Sequence, residues 1–114
     1  MKLAIIGSRD FSDYDKARKV YKNFFESLTT KIISGGAIGA DLIGKRLAEE
    51  FGVEYEEYLP DWDLYKGQAG HVRNTKIINA SQMALVFWNG YSKGTKDSLD
   101  KLASQKKPVF IIYI

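Results

Sequence analysis

Three glycine-bearing segments carry the residues of this sequence that are best suited to bind an anion. They are "GSRDF" (7–11), "SGGAIGAD" (34–41) and "NGYSKGT" (89–95). Glycine is costly to order, so a cluster of glycines needs a reason, and one reason is the close approach of a ligand to the backbone. Free backbone N–H groups at the positive end of a helix attract phosphate. The alternative is that these glycines serve only the geometry of tight turns.

Two arginine residues near these segments are candidate phosphate ligands. Arg9 follows a strand pattern, and its planar guanidinium would bind a phosphate through two hydrogen bonds; alternatively, it pairs with Asp10 or Asp41. Arg73 and Asn74 open a helix pattern that would face the same region. Asp41 lies near a helix start, where it either accepts a ribose hydroxyl or caps the helix.

The stretch "DWDLYKGQAGH" adds aromatic and titratable side chains. Trp62 and Tyr65 would stack on a base, or alternatively fold over the edge of the core. His71, the single histidine, titrates in the range useful for acid–base chemistry, although a lone histidine is more often a polar surface residue. Asp61, Asp63 and His71 lack the spacing of a recognised metal site, so we expect neither a metal nor a cofactor.

The expected ligand-binding residues follow the three glycine segments, the aromatic stretch and the arginine–asparagine pair. The second segment would bind one phosphate, and the third would hold a second phosphate or the far end of the ligand. Thr95 alternatively serves only as the N-cap of the last helix. The set comprises Gly7, Ser8, Arg9, Ser34, Gly35, Gly36, Gly39, Asp41, Trp62, Tyr65, Arg73, Asn74, Asn89, Gly90, Ser92, Lys93, Gly94 and Thr95.

Strand and helix patterns alternate along the chain and must position these segments. Apolar runs predict strands at 2–6, 31–34, 53–58, 83–88 and 108–114. Helices are predicted at 39–51, 69–80 and 95–105, with a loop at 59–68. A first helix is predicted from a cap at Ser12 or Asp13, and its inward-facing positions are Ala17, Val20, Tyr21, Phe24, Phe25 and Leu28.

This alternation predicts a single α/β domain over residues 1–114. We expect a three-layer Rossmann-like fold, with a five-stranded parallel sheet of order 3-2-1-4-5 and helices on both faces. In that order a crevice opens at the carboxyl ends of strands 1 and 4, where the three glycine segments converge. The last strand is apolar and lies at a sheet edge, so we expect a homodimer or higher homo-oligomer that covers it.

Composition restricts the compartment and the partner classes. The chain has no cysteine, which removes disulfides and zinc–thiolate sites and suits a cytoplasmic location. No apolar stretch is long enough to span a bilayer, so no membrane partner is expected. The net charge of +3 tolerates a phosphate-bearing ligand but is too small to indicate nucleic-acid binding by itself.

The whole chain resembles the SLOG superfamily of Rossmann-like domains, most closely its YspA-like branch. The resemblance lies in "IIGSRDFSDY", "ISGGAIGAD", "DWDLYKGQAGHVRN", "NASQMALVFWNGYSKGT" and "KKPVFII". The related DNA-processing protein A family has a similar "GSR" and "RN", here Arg73 and Asn74. LONELY GUY phosphoribohydrolases have an arginine like Arg73 and a loop like "NGYSKGT". The resemblance implies that the crevice binds a nucleotide or nucleotide-derived molecule, and that some members cleave N-glycosidic bonds.

One departure from the LONELY GUY pattern bears on whether the chain is an enzyme. Its catalytic glutamate follows the glycine–threonine pair by three residues, and Ser98 occupies that position here. Asp97 precedes it but points about 100° away around a helix. Asp97, Asp41 or Asp10 would have to supply the catalytic carboxylate.

The broken pattern leaves three functions open. It favours a sensor or sequestering module for a nucleotide-derived small molecule, and leans against enzymatic activity. The alternatives are a nucleoside-monophosphate N-glycosidase and, by analogy with DNA-processing protein A, a single-stranded DNA binder.

Overall fold

Strands and helices alternate along the computed structural model, which describes residues 1–36 and 38–114. Among these residues a 3₁₀ turn at Lys66–Gln68 lies between two of the helices. The elements are β1 (Lys2–Gly7), α1 (Tyr14–Phe24), β2 (Lys31–Ser34), α2 (Ala40–Phe51), β3 (Glu54–Glu57), α3 (Trp62–Tyr65), α4 (Ala69–Ala80), β4 (Met83–Trp88), α5 (Lys93–Ser104) and β5 (Val109–Tyr113).

The five strands form one parallel sheet of order β3-β2-β1-β4-β5, which confirms the predicted fold and strand order. β1 is central, and Leu3 lies opposite both Ile32 of β2 and Met83 of β4. The reversal of chain direction between β1 and β4 places a crevice at their carboxyl ends. The loops that follow β1, β2 and β4 therefore meet at one end of the molecule.

Helices cover both faces of the sheet because successive strand side chains point to opposite sides. On one face, Leu3, Ile5 and Phe87 pack with α1 and α2 in one buried cluster. On the other, Ile6 and Val86 pack with α4 and α5 in a second cluster. The two clusters, one on each face of the sheet, give the three-layer architecture. Residues of α4 and α5 also line the crevice.

The first helix is shorter than the sequence predicts. α1 ends at Phe24, and the backbone N–H groups of Phe25 and Glu26 both donate to the carbonyl of Tyr21, at 2.8 and 2.9 Å. The chain then turns so that β2 can align with β1. Phe25 remains buried, but Phe24 and Leu28 are 57% and 53% exposed, so the prediction that they face the core is wrong.

Two further boundaries differ from the sequence prediction. The predicted loop 59–68 contains the one-turn helix α3, because the Asp61 carboxylate accepts from the backbone N–H of Leu64 at 3.0 Å. α5 begins at Lys93, since Ser92 rather than Thr95 is its N-cap: the Ser92 hydroxyl accepts from the Thr95 N–H at 3.3 Å. None of the helices in the described part of the chain combines the length and apolarity needed to cross a membrane.

Candidate functional site

A cavity of about 420 Å³ lies at the carboxyl ends of β1 and β4, where the topology places the crevice. This volume is in the range that holds small-molecule ligands. Two guanidinium groups and two carboxylates line it, together with hydroxyl and amide groups and the apolar side chains of two core residues. The lining residues are Ile6, Gly7, Arg9, Asp10, Asp41, Arg73, Asn74, Ile77, Asn89, Ser92, Gly94, Thr95 and Ser98.

Arg73 reaches across the cavity from α4 to the β2–α2 loop. Its Nη1 donates to the carbonyl of Gly35 at 3.3 Å, and its Nε donates to Oδ1 of Asn74 at 3.0 Å. A methyl group added at Gly35 would lie 2.6 Å from Nη1 of Arg73 and 2.7 Å from Oδ2 of Asp41. The guanidinium and the carboxylate therefore flank Gly35 from the same side, and both face the cavity.

Arg9 supplies the second guanidinium, on the β1 side of the cavity. Its side chain is exposed and makes no hydrogen bond or ion pair with the residues that the structure describes. The pairing with Asp10 or Asp41 considered from the sequence is therefore not formed among those residues. Asp10 instead accepts from the Asn89 side chain, with both oxygens 3.3 Å from Nδ2. Arg9 is accordingly a cation that an anionic ligand can reach.

The β4–α5 loop is shaped by its own side chains and leaves backbone donors open. Oδ1 of Asn89 accepts from the N–H groups of Tyr91 and Ser92 at 2.8 and 2.9 Å. Ser92 then caps α5. Within residues 1–36 and 38–114, the N–H groups of Lys93 and Gly94 make no hydrogen bond, and no atom lies within 4 Å of a methyl group added at Gly94. A ligand can therefore approach this helix start closely.

The glycines of the β2–α2 loop, by contrast, are packed against other parts of the chain. A methyl group at Gly36 would lie 2.5 Å from the carboxyl carbon of Glu57, and one at Gly39 would lie 2.5 Å from the Ser8 carbonyl oxygen. The hydroxyl of Ser34 is buried and shared between the Asp41 carbonyl (3.1 Å) and the Tyr55 hydroxyl (2.7 Å). Of the predicted residues here, only Asp41 lines the cavity.

Several other predicted ligand residues do not line the cavity. Ser8 is buried, and its hydroxyl accepts from the Asn89 N–H at 3.0 Å, so it supports the loop. Trp62 is 57% exposed on α3, and Tyr65 carries the ammonium of Lys76 over its ring at 5.7 Å. Gly90 and Lys93 belong to the β4–α5 loop and the first turn of α5 without lining the cavity.

Asp97 and His71 are both catalytic candidates from the sequence. Their side chains contact each other, and neither lines the cavity. Nδ1 of His71 is 3.2 Å from Oδ2 of Asp97, and the ammonium of Lys101 donates to Oδ1 at 2.6 Å. Burial acts to raise the pKa of Asp97, but hydrogen bonds from Lys101, Asn74 and His71 outweigh it and hold the pKa below its usual range. Asp97 is therefore an ionised carboxylate, and it does not line the cavity.

Four residues that line the cavity were not predicted as ligand contacts: Ile6, Asp10, Ile77 and Ser98. The two isoleucines follow the apolar period of β1 and α4, and no sequence signal distinguishes a core position from a cavity wall. Asp10 was considered only as a partner of Arg9 or a substitute catalytic acid. Within the described residues, no group of three or more His, Cys, Asp or Glu side chains is arranged to hold a metal ion.

Sequence and structure comparisons place the chain among known proteins. A model of the YspA, cpYpsA-related SLOG family matches residues 1–65. Gene 61 protein of Mycobacterium phage D29 is 33% identical over 84 residues, an alignment that covers 68% of this chain and 67% of the phage protein.

Two solved structures of DNA processing protein A have the same fold. The Streptococcus pneumoniae protein superimposes with a TM-score of 0.77 at 18% identity, over 96% of this chain and 49% of that one. The Helicobacter pylori protein, described with a single-stranded DNA binding mode, gives a TM-score of 0.68 at 21% identity, over 97% and 64%. The chain thus spans about half of the first protein and just under two thirds of the second.

Proposed function

The chain belongs to the YspA, cpYpsA-related SLOG family, and we propose that its crevice binds a phosphorylated nucleoside or a small molecule derived from one. The observation that carries this proposal is the presence of two guanidinium groups and two carboxylates in the lining of one cavity of about 420 Å³. Arg9 and Arg73 suit a phosphate, while Asp10 and Asp41 suit hydroxyl donors such as those of ribose.

The balance of charge in the cavity supports a ligand of mixed character. A bare polyanion would gain from the two arginines but would be repelled by the two carboxylates. A nucleotide has both an anionic phosphate and several hydrogen-bond donors, so it matches both sets of groups. The open N–H groups of Lys93 and Gly94 add phosphate donors at the start of α5.

Thermal unfolding with a panel of nucleotides tests the proposal. At a ligand concentration of 100 times Kd, binding stabilises the native state by about 2.7 kcal/mol. We expect a rise in Tm with at least one of AMP, GMP or ADP-ribose, and none with adenosine or guanosine. A protein whose Tm responds to no phosphorylated nucleoside, and from which denaturation releases no nucleotide by mass spectrometry, would contradict the proposal.

Arg73→Ala should weaken nucleotide binding by about ten- to hundredfold, because hydrogen bonds to charged groups contribute about 1.5–3 kcal/mol. Isothermal titration calorimetry measures this change. Lys45→Ala is the matched control, since Lys45 is an exposed cation on α2 outside the cavity. Equal affinities for wild type and Arg73→Ala would show that the ligand binds elsewhere.

We propose further that the bound nucleotide remains intact. Ser98, at the position of the catalytic glutamate in the LONELY GUY pattern, lines the cavity. The neighbouring carboxylate of Asp97 is occupied by its contacts with Lys101 and His71. Chromatography of AMP or GMP incubated with the protein should therefore detect no free base. Release of base that Asp41→Asn abolishes would instead assign an N-glycosidase with Asp41 as its carboxylate.

Single-stranded DNA is the second candidate ligand. Trp62 on α3 and Tyr91 on the β4–α5 loop are 57% and 85% exposed, and exposed aromatic rings can stack on successive bases. The fold shared with DNA processing protein A agrees with this candidate. Fluorescence anisotropy of an oligothymidylate should then show an affinity that falls steeply with salt and weakens in Trp62→Ala. A binding constant independent of salt would exclude this mode.

We also propose that the β5 edge is covered by a second copy of the chain. β5 ends the sheet, and Phe110 and Ile111 on it are 38% and 36% exposed. Phe24 of α1 lies against Phe110, with ring centroids 5.5 Å apart, and extends this apolar edge. Light scattering should give the mass of a dimer, and Ile111→Lys should yield a monomer. A monomer of the wild-type chain at high concentration would refute the pairing.

A further inference from the structure

A chain of hydrogen bonds connects α5 to the guanidinium of Arg73. Oδ2 of Asp97 accepts from Nδ2 of Asn74 at 3.2 Å, and Oδ1 of Asn74 accepts from Nε of Arg73 at 3.0 Å. Arg73 in turn donates to the Gly35 carbonyl at 3.3 Å. Asp97 stands at the end of this chain that is remote from the cavity, while Asn74 and Arg73 line the cavity.

Asp97 is itself held from two sides. The ammonium of Lys101 donates to Oδ1 at 2.6 Å, and Nδ1 of His71 lies 3.2 Å from Oδ2. Its side chain is 21% exposed. Every one of its neighbours in this network presents a donor, which matches the acceptor-only chemistry of an ionised carboxylate.

This carboxylate determines which way the Asn74 amide is turned. The NH₂ group of Asn74 faces two acceptors, Oδ2 of Asp97 and the Gly94 carbonyl at 3.4 Å, so its oxygen faces the Nε–H of Arg73. The opposite orientation would set the NH₂ group against the Nε–H donor and the amide oxygen against the carboxylate. Removing Asp97 removes the stronger of the two acceptors that favour the observed orientation.

We propose that Asp97 is a positioning residue, which acts through Asn74 to hold the Arg73 guanidinium toward the crevice. The functional part of this inference rests on the proposed function, in which Arg73 binds the phosphate of the ligand. Asp97 then contributes to affinity without touching the ligand. Its contribution requires both Asn74 and Arg73, which distinguishes it from a residue that stabilises the fold generally.

A measurement without ligand tests the positioning step. The rate at which the Arg73 Nε–H proton exchanges with solvent can be measured by NMR. This exchange should be slow in the wild type and clearly faster in Asp97→Ala and Asn74→Ala. Asp100→Ala is the matched control, because Asp100 lies on the same helix and pairs with the exposed Lys96. Unchanged exchange in Asp97→Ala would overturn the inference. If Asp97→Ala does not fold, Asp97→Asn serves, since its single amide oxygen cannot satisfy both Lys101 and Asn74.

A titration with inorganic phosphate tests the functional step. Asp97→Ala should weaken phosphate binding by about tenfold, and this loss should vanish in the Arg73→Ala background. An equal loss in both backgrounds would overturn action through Arg73. If Asp97→Ala accelerates exchange at Arg73 but the wild type binds no phosphate, the positioning inference is supported and the proposed function is the part that fails.

Discussion

The β2–α2 loop and the β4–α5 loop are both rich in glycine, yet their glycines serve opposite purposes. At Gly35, Gly36 and Gly39 the space that a side chain would take is filled by other parts of the chain. At Gly90 and Gly94 no other part of the described chain comes within 4 Å of that space. The three glycines of the first loop are therefore packed against the rest of the chain, whereas those of the second leave room for a ligand at the start of α5.

The difference shows that glycine content alone does not locate a ligand. Both loops follow a parallel strand and lead into a helix, and both would be described as phosphate loops from their sequences. What separates them is which atoms lie opposite each glycine. In the β2–α2 loop these atoms include Arg73 and Asp41, so its tight packing brings the groups that line the cavity close to the backbone.

The largest expected effect is the loss of stability in Gly39→Ala, by about 3 kcal/mol. Gly39 has φ of +92°, and a methyl group there would lie 2.5 Å from the Ser8 carbonyl oxygen and 2.6 Å from that of Arg9. Urea denaturation measures the change. Gly52→Ala is the control, because Gly52 also has a positive φ of +65°, but apart from its chain neighbours no atom of the described residues lies within 4 Å of its added methyl.

The Gly52→Ala control should lose only about 1 kcal/mol of stability, because it pays for the positive φ alone and not for a steric clash. Equal losses at the two positions would mean that the contacts around Gly39 do not stabilise the fold, and the contrast between the glycines of the two loops would disappear.

Lowering the pH should reduce the stability of the fold by a smaller amount, through the protonation of Asp97 on α5. The pKa of Asp97 is lower in the folded chain than in the unfolded one, because hydrogen bonds from Lys101, Asn74 and His71 outweigh the effect of burial. Its ionised form therefore stabilises the fold above the unfolded pKa of about 3.9, and this stability is lost as the pH falls through the folded pKa. Comparing urea denaturation of wild type and Asp97→Asn at pH 7 and pH 3 measures it.

Wild type should be the more stable at pH 7, and the difference should shrink toward pH 3. A difference that stays constant over this range would show that the charge of Asp97 does not stabilise the fold.

The smallest expected effect on stability is a gain of about 0.5–1 kcal/mol in Gly94→Ala. Gly94 lies in the first turn of α5, and beyond the backbone of its own helix the added methyl meets no atom of the described residues within 4 Å. Because Gly94 lines the cavity, the same substitution should weaken nucleotide binding in calorimetry.

Gly70→Ala provides the matched comparison, since Gly70 lies in α4 with equally free space and does not line the cavity. It should stabilise the fold similarly and leave binding unchanged. If both variants bind the nucleotide as the wild type does, the β4–α5 loop does not approach the ligand.

The sheet order and the convergence of the three loops follow from local patterns, and the sequence predicted both. Alternating strands and helices admit few topologies, and the uninterrupted apolar run at 83–88 is typical of a buried central strand. The end of α1 was not predictable in this way. Leu28 continues the helical period, and only the need to align β2 beside β1 ends the helix at Phe24.

The contacts within the site depend on residues that are distant in sequence. Arg73 and the Gly35 carbonyl are separated by 38 residues, and Asn74 and Asp97 by 23. No spacing rule links such pairs, so the packing of the β2–α2 glycines and the connection from Asp97 to Arg73 became visible only in three dimensions. The sequence identified most of these residues as candidates but not which partner each of them contacts.

The central position of β1 has a consequence for how the polypeptide is made. Its partner β4 lies far along the chain: Leu3 of β1 pairs with Met83 of β4, 80 residues later. A ribosome releases β1 to β3 before β4 exists, so the nascent chain exposes the unpaired apolar edge of β1 until β4 has been made. Long-range pairing of this kind is slow and vulnerable to aggregation. Fragments that stop after residue 65 should therefore precipitate rather than retain partial binding.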